Sequence, residues 1–129
     1  MIYGVGIDLV EVPRVQGMIE RWGERFVTRC FSPAEISYCR RRKNAAPHYA
    51  ARFAVKEAFL KCLGIGITGG VSMRDVAVVH SERGEPELQV VGKPFEMMKE
   101  RGISSARVSI SHTDRYAAAI VTLEMSGDF

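Results

Sequence analysis

The stretch that most constrains the fold is residues 47–63, which read as a helix with charges placed where a helix should be buried. At about 100° per residue, Ala51, Ala54, Val55, Ala58, Phe59 and Cys62 fill a broad apolar arc, and Phe53 and Leu60 form a second apolar ridge. Glu57 and Lys61, four residues apart, lie between the two. A carboxylate flanked by apolar surface on both sides is costly unless a cation pairs with it. Lys61 is one such partner and a metal ion is another. The helix alone does not choose between them.

Around this helix the hydrophobic period changes along the chain. Residues 2–9 are apolar, rich in Ile and Val, and predict a short strand ending at Asp8. Val15, Ile19, Trp22 and Phe26 then recur at helical spacing, with Pro13 tolerated in the first turn. Gly17 weakens this helix and Gly23 is placed to break it. Ser32-Pro33-Ala34-Glu35 is a capping box with proline at the first helical position, predicting a helix to about Arg42. Pro47 opens the central helix and Gly64 closes it. A glycine-rich loop follows over 64–70. Strands are expected at 75–80 and 87–91 around a turn holding Gly84, and a short helix at 93–101 stopped by Gly102. A hairpin pairs 107–111 with 116–123, and the tail 125–129 is expected to be loose. Helices that precede a mainly antiparallel sheet predict an α+β fold. A length of 129 residues supports one domain, 1–129, and not two.

Composition excludes several classes. A hydrophobic fraction of 47% beside 26% charge is ordinary for a soluble globular chain. No apolar run approaches the ~20 residues of a membrane span. The N-terminus lacks the basic region of a signal peptide and has an acid at Asp8, so the expected location is cytoplasmic, with no membrane partner. The three cysteines have no ligand spacing and predict reduced thiols. The net charge of +3 is uneven: residues 1–63 hold 11 Lys/Arg against 6 Asp/Glu, and residues 64–129 hold 7 against 9. The basic half faces something acidic, which leaves open a protein, a phosphate-rich ligand or nucleic acid.

The candidate chemistry starts at Asp8, which ends an apolar strand in Gly6-Ile7-Asp8. It is either a helix cap or a hard-cation ligand, since Mg²⁺ takes one or two carboxylates beside phosphate oxygens and water. Two carboxylates, Asp8 and Glu57, with Lys56 and Lys61 nearby suit phosphoryl transfer, where metal and lysine offset phosphate charge. His112 lies at a strand end beside a turn, where a histidine is more often structural. Arg14, Arg21 and Arg25 fall within ~40° of one another if the first helix is continuous. Such a ridge suits an acidic partner, and a solvated charged face is the competing reading. Arg40 to Lys43 favour polyanion contact, although a helix C-terminus also favours cations by itself. The 64–70 loop lets backbone approach a phosphate, but it lacks both the Walker lysine and a G-x-G-x-x-G after a strand. A small basic nucleic-acid-binding module and a metal-dependent phosphohydrolase are the readings from other classes.

Taken in order, three groups of residues resemble the motifs of the holo-acyl-carrier-protein synthases, the small bacterial type of 4′-phosphopantetheinyl transferase. Gly6-Ile7-Asp8 with Arg14 resembles the first motif, and the run from Arg52 to Lys61 resembles [W/F]-x-x-K-E-A-x-x-K. Ser111-His112 with Ala117 and Ala119 resembles the third, so the likeness spans residues 4 to about 123. One departure is visible: the loop that usually reads Gly-Thr-Gly is here Gly64-Ile65-Gly66.

The resemblance implies the 4′-phosphopantetheinyl transferase fold and transfer of the phosphopantetheine arm of coenzyme A to a serine of an apo acyl carrier protein. It assigns Mg²⁺ to Asp8 and Glu57, charge stabilisation to Lys61, and coenzyme contacts to Arg52, Lys61, Gly64, Gly66, Gly84, Pro86 and His112. The serine's base is left between Asp8, through a metal-bound water, and Glu57. Arg14, Arg21 and Arg25 would meet the acidic carrier protein, and the family's homotrimers have active sites between subunits. The resemblance implies no nucleic-acid partner.

Overall fold

The computed structural model of the chain describes residues 1–66 and 70–126. In chain order they form β1 (Ile2–Glu11), α1 (Val12–Trp22), α2 (Glu24–Cys30), α3 (Pro33–Arg40), α4 (Ala46–Leu63), β2 (Val76–His80), β3 (Pro86–Val90), α5 (Gly92–Glu100), β4 (Ile103–His112) and β5 (Tyr116–Met125). A 3-10 turn at Met73–Asp75 precedes β2. Every strand pairing is antiparallel: β1-β5-β4 form one sheet and β2-β3 a separate hairpin. The α+β expectation is met.

Local chemistry accounts for the helix boundaries. The capping box forms as the sequence predicts. Ser32 Oγ accepts from Glu35 N at 3.2 Å, and Glu35 Oε1 accepts from Ser32 N at 2.9 Å. Gly64 ends α4 in the left-handed region at φ 73°, which costs a glycine little. Gly23, at φ 55° and ψ −135°, ends α1 and starts α2 in a new direction. The helical period running from Val12 through Phe26 is therefore carried by two helices, broken at the glycine placed to break it.

Helix α4 crosses the inner face of the sheet, against β1 and β5, and is buried along most of its length. Its small residues permit a close approach: a Cβ on Gly6 would stand 2.0 Å from Ala58 O. Only glycine fits at that crossing. Strand β1 alternates accordingly. Gly6, Asp8 and Val10 face α4, and Val5, Ile7 and Leu9 are exposed on the outer face at 59%, 62% and 66%. Tyr116 and Ile120 of β5 are exposed as well. An exposed apolar group of this kind is unusual on an isolated domain.

Several boundaries differ from expectation: β1 runs past Asp8 to Glu11, and α3 stops at Arg40. Strand β4 starts at Ile103, four residues earlier than its alternation suggests. Strand β5 runs to Met125, whose N–H donates to Met1 O at 2.7 Å, and Ser126 N donates to Gly102 O at 3.3 Å. The tail expected to be loose is thus tied at its first two residues, and 127–129 lie outside the described residues. Among the described residues no helix is long and apolar enough to cross a membrane.

Candidate active site

The crossing of β1 and α4 brings Asp8 and Glu57 together. Asp8 is 8% exposed on the inward face of β1, and the Glu57 side chain is 19% exposed on α4. Lys61, one turn beyond Glu57, does not pair with it. Its Nζ donates to Asp8 Oδ1 at 2.6 Å and to Ile7 O at 3.1 Å. Of the two partners the sequence leaves open for Glu57, Lys61 is not the one taken, because β1 presents a second carboxylate and a carbonyl to the same ammonium. Lys61 is also well exposed, at 57%, so the apolar flanks enclose Glu57 but not Lys61. Arg14 approaches from α1, with Nη1 4.0 Å from Glu57 Oε1, an ion-pair distance beyond hydrogen-bond reach.

Two oxygens of this group stand out. Asp8 Oδ2 and Glu57 Oε1 are both out of solvent and accept no hydrogen bond. Burial first, and the Asp8 charge second, push the Glu57 carboxyl up, against the pull of Arg14 and Lys61. The hydrogen bond to Asp8 in turn raises Lys61. Buried carboxylate oxygens without donors are costly, and two hard oxygens at one crossing match what Mg²⁺ takes from a protein. The residues present therefore fit the metal that the family resemblance implies. Among the described residues no cluster of three or more His, Cys, Asp or Glu offers a full protein cage.

Lys56 plays no part in this site, contrary to the sequence reading. It points to the opposite side of α4, fully buried. There its Nζ donates to Glu35 Oε1 at 2.7 Å, Val76 O at 2.6 Å and Met73 O at 3.1 Å. Burial lowers its pKa and the Glu35 carboxylate opposes that. Glu35 also accepts from Val78 N at 3.0 Å. The capping glutamate is thus the hub that joins α3, α4 and β2. A capping box signals only its local half.

Farther back along α4, about 7.5 Å in axial rise from Glu57, Arg52 anchors a second, cationic group. It is 1% exposed, yet only Nη1 is bonded, to His48 O at 3.2 Å, while Nε and Nη2 have no partner. Its guanidinium carbon lies 4.1 Å from the Tyr38 ring centre, and that of Arg42 lies 3.8 Å away. His80 stacks on Tyr38 at 4.6 Å and 18°, and the His48 ring stands 5.0 Å from His112. Tyr38, Arg41, Arg42, His80 and Gly84 line a cleft of about 520 Å³. The sequence marks Arg42 only as part of the basic run 40–43, and it marks Tyr38, His48 and His80 not at all. The i,i+4 spacing of His48 and Arg52 was a usable signal, but Tyr38 and His80 arrive from other elements.

The remaining expected residues are partly placed. His112 joins the Arg52 group through His48. Gly84 lines the cleft, while Pro86 faces a different groove, with Glu85, Leu88, Ser105 and Arg107. Gly64 caps α4 and Gly66 follows in an exposed stretch, and residues 67–69 of that loop lie outside the described residues. The three-arginine ridge is not formed. Arg14 and Arg21 lie on α1, whereas Arg25, beyond Gly23, lines a groove with Trp22 and Phe26 on α2. The basic run at 40–43 is also divided: Arg40 pairs with Glu24 and Arg42 stacks on Tyr38. That removes the continuous basic patch on which a nucleic-acid reading depended.

Comparison with known proteins identifies the family and the fold. A family model described as the 4′-phosphopantetheinyl transferase superfamily matches residues 4–121. The holo-[acyl-carrier-protein] synthase of Syntrophus aciditrophicus is 46% identical over 124 residues, 96% of this chain and 97% of that protein. The crystal structure of the Neisseria meningitidis holo-[acyl-carrier-protein] synthase superposes with a TM-score of 0.86 at 34% identity, covering 96% of this chain and 99% of that one. The Bacillus anthracis synthase in complex with CoA (3′,5′-ADP) gives 0.78 at 33%, covering 98% and 99%.

Proposed function

The chain belongs to the 4′-phosphopantetheinyl transferase superfamily, and on that premise we propose that it is a holo-acyl-carrier-protein synthase acting as one catalytic domain. The observation that carries the mechanism is the pair of buried, donor-free oxygens, Asp8 Oδ2 and Glu57 Oε1. These residues would hold Mg²⁺, which when bound offsets the charge of the coenzyme A pyrophosphate.

In the reaction the serine oxygen of the carrier bonds to the phosphorus that bears the pantetheine arm. The phosphoanhydride P–O bond breaks, and adenosine 3′,5′-bisphosphate leaves with the electron pair. The serine proton passes to the Asp8–Glu57 carboxylate pair. Lys61, exposed and cationic at the rim, stabilises charge on the pyrophosphate or the leaving group. Arg52 and His112 hold the coenzyme, with Gly84 on the far wall of the cleft and Gly64, Gly66 and Pro86 as further contacts. Arg14, Arg21 and Arg25 meet the acidic carrier, now as two separate patches and not one ridge.

We further propose a cytoplasmic homotrimer with active sites between subunits. The exposed Val5, Ile7, Leu9 and Ile120 support an assembly through the outer sheet face.

The deciding test is incubation with coenzyme A, Mg²⁺ and apo acyl carrier protein, read by mass spectrometry of the serine. Gain of the phosphopantetheine mass is expected. No transfer to any acyl carrier protein sinks the proposal, and pyrophosphate cleavage without an acceptor points to a phosphohydrolase.

A further inference from the structure

All three histidines of the chain converge on one place. His48 comes from α4, His80 from β2 and His112 from β4, and Tyr38 from α3 lies 4.6 Å from the His80 ring and 6.0 Å from the His48 ring. Around them stand Arg52 and Arg42, with Arg41 on the cleft wall. The Nε and Nη2 groups that Arg52 leaves unbonded are one edge of its guanidinium. That edge is a two-donor fork matching phosphate oxygens. Two unused donors on a side chain 99% out of solvent, beside three imidazoles, make a site shaped for a doubly charged anion.

Resting on the proposed coenzyme A reading, we propose that His48 and His80 make coenzyme binding proton-coupled: they take up protons as the cluster closes on the ligand's phosphate monoester. Coenzyme A has one such monoester, and its second ionisation near 6 gives a dianion at neutral pH. Its pyrophosphate has no comparable group. In the free protein, burial and then cationic neighbours hold both imidazoles down. His112, Arg52 and Arg42 act on His48, and Arg52 and Arg42 act on His80. A bound dianion reverses that field and favours the imidazolium. Ligand affinity then rises as pH falls from 8 toward the monoester's own ionisation near 6, by less than about tenfold for each histidine whose pKa moves one unit.

The test is calorimetric titration of the wild-type protein with coenzyme A at pH 7 in buffers of different ionisation enthalpy. The expected result is a positive proton uptake that disappears with dephospho-coenzyme A, which lacks the monoester. Uptake should fall in the double variant His48→Gln, His80→Phe, whose phenyl ring keeps the stack on Tyr38. Coenzyme that binds without linked protons, or with equal uptake for the dephospho form, overturns this inference and leaves the transferase reading standing. Unchanged uptake in the double variant overturns it as well. No binding of coenzyme A at all removes both.

Discussion

Lys56 Nζ and Glu35 Oε1 stand 2.7 Å apart with neither side chain reaching solvent, while Lys61, five residues along the same helix, grips Asp8 at the surface. Two lysines of one motif thus serve different ends. Lys56→Met strands a buried carboxylate and is expected to destabilise the fold by about 3–5 kcal/mol, read by urea or thermal unfolding. Lys61→Met removes an exposed ammonium from the partly solvated Asp8, and is expected to cost clearly less stability than Lys56→Met and to lower transfer to the carrier. Equal stability losses in the two variants would contradict this division.

Mg²⁺ should stabilise the wild-type protein, because it satisfies Asp8 Oδ2 and Glu57 Oε1. A ligand at a hundredfold excess over its dissociation constant contributes about 2.7 kcal/mol. Thermal scans with and without Mg²⁺ are expected to show this shift in the wild type and to lose it in Asp8→Asn and Glu57→Gln. A shift retained in both variants would place the metal elsewhere.

Gly6→Ala probes the helix–sheet crossing. The added methyl meets Ala58 O at 2.0 Å, so β1 must move off α4, at a cost on the order of 1–3 kcal/mol. Because Asp8 lies on the displaced strand, the variant is expected to lose the Mg²⁺ response at temperatures where it remains folded. Circular dichroism and the metal scan together separate the two effects.

The outer sheet face should govern assembly. Ile7→Lys with Leu9→Lys leaves the core untouched, since both side chains already face outward. Light scattering is expected to show the wild type as an oligomer and this variant as a monomer with an unchanged far-ultraviolet spectrum. A monomeric wild type would refute the assembly.

Acid should weaken the fold through His48 and His80. Both are held below the ordinary imidazole value, by burial first, so the unfolded chain takes up their protons sooner. Stability is therefore full above the unfolded value near 6.5 and declines as pH falls through it. His48→Gln with His80→Phe is expected to flatten that decline in unfolding experiments run without ligand between pH 7.5 and 5.

Much of this was legible before any coordinates. Ser32 and Glu35 announce α3, Gly23 the break after α1, and the apolar run rich in Ile and Val before Asp8 the strand β1. A helical wheel marks Glu57 because it shows which angle a residue occupies. A wheel does not show which element lies at that angle, and so Lys56 and Lys61 looked alike. Their fates diverge because β2 and α3 cover one side of α4 and β1 skirts the other. The histidine–tyrosine cluster was invisible for the same reason. His48, His80 and Tyr38 become neighbours only when the β2–β3 hairpin folds back on α3.

Strand β1 carries successive residues with unrelated duties: Gly6 admits the helix, Ile7 and Leu9 face outward, and Asp8 faces in. Because side chains on a strand alternate strictly, inserting or deleting one residue before Asp8 would turn the carboxylate outward and drive an isoleucine or leucine toward Glu57. The segment should thus tolerate some point changes but almost no change in length. Across natural homologues, drift in this stretch is expected as substitution, with gaps displaced to the loops.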